Sequence, residues 1–180
     1  VSADDALAPN AIQKYYDSIE KYPSVDMFYC NIRQIGTEVR DSNHENYFDK
    51  YIELISKIAE QQPFSIYGAV VKRSMMLLSG SFTESISKRF DYDFIKKFAL
   101  LKRFNIQHIP EILYLKRMHT ESLTHSNYGS SVNVEESFII RQTLAAVGLE
   151  ELFPRLDWSG DKSQTEVIAL LLLSMKFFAL

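Results

Sequence analysis

Ser2-Ala3-Asp4-Asp5 places two adjacent carboxylates just ahead of Pro9, where a strand would end and a helix begin. Neighbouring carboxylates repel each other unless a positive group stands close by. A hard divalent cation, Mg²⁺ or Mn²⁺, relieves that repulsion and prefers carboxylates combined with substrate phosphates. Asp is also common just before helices, so an acidic capping loop accounts equally for these residues.

Two further clusters carry chemistry. Phe90-Asp91-Tyr92-Asp93-Phe94 opens a helix directly after Ser87-Lys88-Arg89. One Asp there is ordinary capping, whereas two separated by an aromatic leave one carboxylate to face a cleft. Arg117-Met118-His119-Thr120-Glu121-Ser122-Leu123-Thr124 follows the last strand. His119 is either an imidazole ligand or phosphate contact, or a solvated loop residue. His119 and His125 lack the further ligands that a zinc site requires.

The elements that must position these residues form a mixed α/β pattern. Ala11, Ile12, Tyr15, Tyr16 and Ile19 predict a helix over 9–22, with Pro9 in its first turn and Pro23 as its stop. Residues 25–32 read as a strand buried on both faces, and 33–46 as a loop or short hairpin extension. Residues 47–62 predict a helix with Tyr51, Leu54, Ile55, Ile58 and Ala59 inward, ended by Pro63. A strand over 65–71, a short helix over 73–78 and a Gly80-Ser81-Phe82 loop follow. The next helix is expected over 91–104, with Phe94, Ile95, Phe98 and Leu101 inward and Lys102 and Arg103 in its last turn. Strands over 106–109 and 112–117 flank Pro110. Beyond a Ser/Gly/Asn loop at 127–133, residues 134–147 and 164–180 read as helices with a break at Gly148.

Composition narrows the class. With 46% hydrophobic and 24% charged residues, the 180-residue chain is globular and large enough for one domain with a core. A net charge of −3 leaves no basic footprint for nucleic acid, which excludes that class of partner. Cys30 is the only cysteine, so no internal disulfide can form, and its apolar surroundings read as core. The C-terminal apolar run from Val167 contains Lys176 and is too short to span a bilayer. It reads as a core or partner-packing helix, with self-association or contact with a membrane surface as the alternatives.

The motifs, taken in order, resemble the C-terminal part of the catalytic domain of family-two, inverting, GT-A-fold glycosyltransferases. There a DxD-like pair precedes a Pro-containing helix, as Asp4 and Asp5 precede Pro9. A strand with a basic dipeptide then leads to Gly-x-Phe-x-Glu, here Gly80-Ser81-Phe82-Thr83-Glu84. An acidic pair, an aromatic and Asp open the next helix, matched from Asp91 to Asp93. Ile109-Pro110 leads to Leu113, Tyr114, Arg117 and His119, with Ser122 and Thr124 following. The resemblance covers about residues 1–126.

It implies an α/β fold: the C-terminal half of a GT-A-type mixed sheet flanked by helices, over residues 1–126, followed by a helical extension over 127–180. It implies that Asp4, Asp5 and His119 serve a Mn²⁺ or Mg²⁺ ion, and that Arg117 and His119 lie near a donor diphosphate. Asp91 matches the family's catalytic base, and Gly80, Ser81 and Phe82 would border the acceptor. Three positions depart from the pattern: Phe90 replaces the acidic residue before the base, Ser2 replaces the outer Asp, and Lys97 stands where an Arg is usual.

The expected function is transfer of a sugar from a nucleotide-diphosphate sugar to a glycan or lipid-linked acceptor, in the manner of cell-envelope polysaccharide enzymes. A cytoplasmic position, peripheral at the inner face of a membrane, accords with it. The family's nucleotide-binding unit would precede Asp4, so these 180 residues alone are expected to bind donor weakly and transfer little. A non-catalytic interaction or scaffold module that keeps the fold is the main alternative, and a metal hydrolase of phosphate esters the third.

Overall fold

The computed structural model describes residues 1–102, 104–119 and 130–178. A mixed sheet lies between two helical layers. Its strands are β1 (Ala6–Leu7), β2 (Met27–Gly36), β3 (Arg40–Ser42), β4 (Val70–Val71) and β5 (Ile106–Met118). The order is β1-β5-β2-β3, with β4 also on β2. β2 and β5 run parallel, and the other pairs are antiparallel. The helices are α1 (Ala11–Lys21), α2 (Tyr51–Ile58), α3 (Arg73–Leu78), α4 (Phe90–Leu100), α5 (Ser130–Ala146), α6 (Leu149–Leu152) and α7 (Lys162–Phe178).

β2 explains the two layers. Successive strand side chains point to opposite faces. Met27 and Tyr29 join a core with α2, α4 and α5, including Leu54, Ile58, Phe94, Phe98 and Ile139. Phe28, Cys30 and Ile32 join a second core with Ala11, Tyr15, Leu113 and Tyr114. The strand is thus buried on both faces, as its mostly apolar run predicts. The residues after Ile32 continue β2 and turn back through β3, so the expected hairpin extension is real.

Several boundaries differ from expectation. Helix α1 starts at Ala11 because Asn10 takes a left-handed φ of 64°. Only Ala11 and Tyr15 of its apolar positions are buried, and Ile12, Tyr16 and Ile19 are exposed. Helix α2 starts four residues later than Tyr47, whose N–H donates to the Tyr29 hydroxyl at 3.1 Å instead of entering a helix. The 65–71 strand shrinks to Val70–Val71, since Gly68 turns the chain at φ 73°. Helix α4 stops at Leu100, and Lys102 sits beyond it at φ 57°.

The two strands expected around Pro110 are one strand with an irregular register. Ile109 pairs with Cys30, then Ile112 with Asn31 and Tyr114 with Ile32. The surplus residues on β5 form the bulge where Pro110, lacking an N–H, costs no ladder bond.

The C-terminal helices share the first core. Ile139, Val147 and Leu152 pack with the residues of α2 and α4. The expected domain division at 126/127 falls outside the described residues, as do Ser122, Thr124 and His125.

Candidate functional site

β1 brings the N-terminal acidic loop to the end of β5. Ala6 pairs with Leu115 and Leu7 with Tyr114, so the residues before Ala6 face those after Leu115. Asp5 Oδ1 accepts the Arg117 backbone N–H at 2.7 Å, and Asp5 Oδ2 accepts the Tyr114 hydroxyl at 2.7 Å. Arg117 Nε donates to the Asp4 carbonyl at 3.1 Å. His119 Nε2 lies 3.0 Å from Asp4 Oδ2. That hydrogen bond holds the Asp4 carboxyl below its ordinary range. Four predicted residues, Asp4, Asp5, Arg117 and His119, therefore meet in one place.

Asp91, the second residue of α4, is half-buried. Its Oδ2 accepts from Gln62 Nε2 at 2.9 Å, and its Oδ1 accepts the Tyr92 N–H at 2.9 Å. The second carboxylate of the motif is a different kind of group. Asp93 is 1% exposed and accepts from Lys96 at 2.6 Å and from the Thr83 hydroxyl at 2.5 Å. Lys97 lies 3.3 Å from it. Burial alone pushes the Asp93 carboxyl up, but Lys96, Thr83 and Lys97 outweigh it and hold it low.

The Gly80–Phe82 loop is fastened to the same helix. Gly80 and Ser81 both have positive φ, 78° and 57°. Lys97 Nζ donates to the Ser81 carbonyl at 2.9 Å. The Phe82 ring meets Phe90 edge-on at 5.7 Å and Phe94 at 4.9 Å.

A cavity of about 390 Å³ lies beside these parts, lined by Ser2, Tyr114, Tyr15, Tyr67, Gly68 and Phe90 among others. Ser2 and Tyr114 belong to the acidic-loop end. Phe90 precedes Asp91 and carries the contact to Phe82. The wall is thus mostly apolar and aromatic, the usual make-up of a ligand cleft.

Among the described residues no three His, Cys, Asp or Glu side chains are grouped as a closed metal cage. Asp4 and His119 converge within 3.0 Å, and Asp5 already accepts a protein proton on each oxygen. A divalent ion that takes one or two protein ligands and draws the rest from phosphates and water would, among the described residues, have only Asp4 and His119 to meet here, in place of their mutual hydrogen bond.

Tyr114 and Gln62 are the residues whose roles the pattern did not disclose. Tyr114 carried a signal: a Tyr buried by its ring places its hydroxyl at a polar partner. Gln62 carried none, since it reads as the polar last residue of the 47–62 helix, before Pro63.

No protein-family profile matches the sequence, and no curated protein matches it. In three dimensions the chain is similar to the crystal structure of S. aureus TarS 1–349 in complex with UDP-GlcNAc, with a TM-score of 0.62 at 13% identity. The similarity covers 91% of this chain and 49% of that one, so the chain spans about half the length of this neighbour. The shared property is the fold, a mixed sheet flanked by helices, as expected from the sequence.

Proposed function

We propose that this chain forms the metal-and-acceptor half of an inverting, family-two, GT-A-type glycosyltransferase acting on a glycan or lipid-linked acceptor. One observation carries the reading: Asp4, Asp5, Arg117 and His119, four residues of the motif pattern from opposite ends of the sheet domain, meet at one place beside a cavity lined by Ser2, Tyr114 and Phe90. The neighbouring fold was solved with a nucleotide sugar, which supports the same substrate class here. Transfer is proposed for a domain that includes nucleotide-binding strands, not for these 180 residues in isolation.

In this reading the Asp91 carboxylate takes the proton of an acceptor hydroxyl as that oxygen attacks the anomeric carbon. The bond from that carbon to the diphosphate breaks, and the nucleoside diphosphate leaves with the electron pair. Arg117 and His119 stand beside its negative charge. Asp4 and His119 would hold Mn²⁺ or Mg²⁺, with Asp5 bracing the loop, and the ion would supply charge neutralisation for the leaving group. Among the described residues no helix is long and apolar enough to cross a membrane. A peripheral position at the inner face of a membrane is proposed from the acceptor class alone.

The test is nucleoside diphosphate release by the full-length protein from UDP-GlcNAc and other nucleotide sugars, with Mn²⁺ and candidate acceptors. Acceptor-dependent release that Asp91→Asn abolishes is expected. Nucleotide binding without release from any donor would instead favour a binding module that keeps the fold.

A further inference from the structure

Glu135 lies in α5, in the helical extension, far along the chain from every residue assigned above. Its carboxylate nevertheless captures the segment that introduces α4. Oε1 accepts the Ser87 N–H at 3.0 Å and the Ser87 hydroxyl at 3.1 Å. Oε2 accepts the Lys88 N–H at 2.9 Å and the Arg89 N–H at 2.8 Å. Next to it Glu136 pairs with the Arg89 guanidinium at 2.5 Å. Burial pushes the Glu135 carboxyl up, and the Ser87, Arg89 and Lys88 N–H groups more than reverse this, so it stays ionised.

This arrangement replaces something α4 lacks. The N-cap residue of α4 is Arg89, which makes no side-chain capping bond. A helix start leaves backbone N–H groups without partners, and a carboxylate there satisfies them and complements the helix dipole. Here the carboxylate comes from another helix and gathers the three consecutive N–H groups leading up to Phe90. Charge-assisted bonds of this kind hold geometry more firmly than neutral ones. Lys96 of α4 also bonds Gln142 of α5, and Ile139 packs in the same core as Phe94 and Ile95. Asp91 is two residues past the captured segment, so its backbone follows the α4 start that Glu135 holds, while Gln62 and the Tyr92 N–H orient its carboxylate.

We propose that Glu135 is a positioning residue for the transfer reaction, setting the entry of α4 and thereby the place of Asp91, next to the Phe90 that lines the cavity. The inference rests on the reading of Asp91 as the base. It gives the extension a function: it completes the acceptor end of the site. Misplacing a catalytic group by about 1 Å costs on the order of 100-fold in rate.

The experiment compares Asp91→Asn, Glu135→Gln and Glu135→Asp in the full-length protein, with Val25→Ala, in the second core, as a core-destabilised control away from α4. Donor KM, kcat and amide exchange at residues 87–91 are read for each. The expected result is a kcat lowered about 10- to 100-fold in E135Q, as a partial misplacement implies. Donor KM should be little changed, and protection at 87–91 lost. E135D, which keeps the charge but withdraws it by one methylene, should fall between, and V25A should keep its kcat below its melting temperature. An inactive D91N beside wild-type kcat in E135Q overturns the positioning role and leaves the base reading standing. If E135Q does not fold, wild-type kcat in E135D with protection at 87–91 lost overturns it equally. An active D91N instead overturns the base reading itself, and with it this inference.

Discussion

The Tyr114 hydroxyl lies 2.7 Å from Asp5 Oδ2 and donates to it, while accepting the Ser2 N–H at 3.2 Å. β5 thereby pins the acidic loop from both sides of Ala3. Tyr114→Phe removes both contacts and leaves the buried ring in place. Since hydrogen bonds to charged groups contribute about 1.5–3 kcal/mol and water can reach Asp5, a loss of about 1–2 kcal/mol in urea unfolding is expected. An unchanged midpoint would show that the loop is held by Arg117 alone.

Asp4 and Asp5 should separate under mutation. Asp4 is exposed and, among the described residues, its carboxylate bonds His119, whereas both Asp5 oxygens accept hydrogen bonds from Tyr114 and Arg117. Asp4→Ala is expected to leave the melting temperature near wild type and to abolish its rise with Mn²⁺ and nucleoside diphosphate. Asp5→Ala should lower the melting temperature without ligand. Equal behaviour of the two variants in differential scanning calorimetry would refute this division.

Much of this site was readable because its residues sit in the loops that the element pattern delimits. The mostly apolar run over 25–32 identified β2 as buried on both faces, and α3 began and ended where expected. Pairing was harder to read than burial. The run over 65–71 is apolar enough for a strand, yet a Cβ on Gly68 would come 2.9 Å from the Tyr114 Cβ, and the chain turns there at positive φ. Pro110 argued for two strands because it cannot donate, and a bulge absorbs it in one. Glu135 was illegible: an acidic residue within a helix reads as a solvated position, and its partners lie in a loop more than forty residues earlier.

The two carboxylates of the α4 motif should differ sharply in what they stabilise. Asp93 forms a buried pair with Lys96 and also anchors the Gly80–Thr83 loop through Thr83 and Lys97. Removing one partner of a buried pair leaves an uncompensated charge, so Asp93→Ala should cost about 3–5 kcal/mol. Asp91→Ala should cost no more than about 1 kcal/mol, the common size for a half-buried substitution. Urea unfolding of both variants decides it. A mild Asp93→Ala would mean that the Lys96 charge finds another partner.

Acid should destabilise the protein through His44 and His108 before its carboxylates titrate. Asn31 Oδ1 accepts the His44 N–H at 3.0 Å, which fixes the orientation of that amide. His108 Nε2, 2.8 Å from the same oxygen, must therefore carry a proton. His44 Nε2 is buried with no hydrogen-bond partner among the described residues. Burial lowers both imidazoles below their ordinary value of 6.5, for His44 with added repulsion from His108. An unfolded chain then binds protons that the folded chain refuses, so stability falls as pH drops below 6.5 toward the lowered values. The carboxyls of Asp4, Asp93 and Glu135 are also held low, but their contribution is present above their ordinary values of 3.8 and 4.5 and is lost only below them. Between pH 6.5 and 5 the histidines dominate, and a slope of about 1 kcal/mol per pH unit is expected from one net proton. The double variant His44→Gln, His108→Gln should flatten that slope while keeping a donor toward Asn31. A slope unchanged in the double variant would assign the acid sensitivity to other groups.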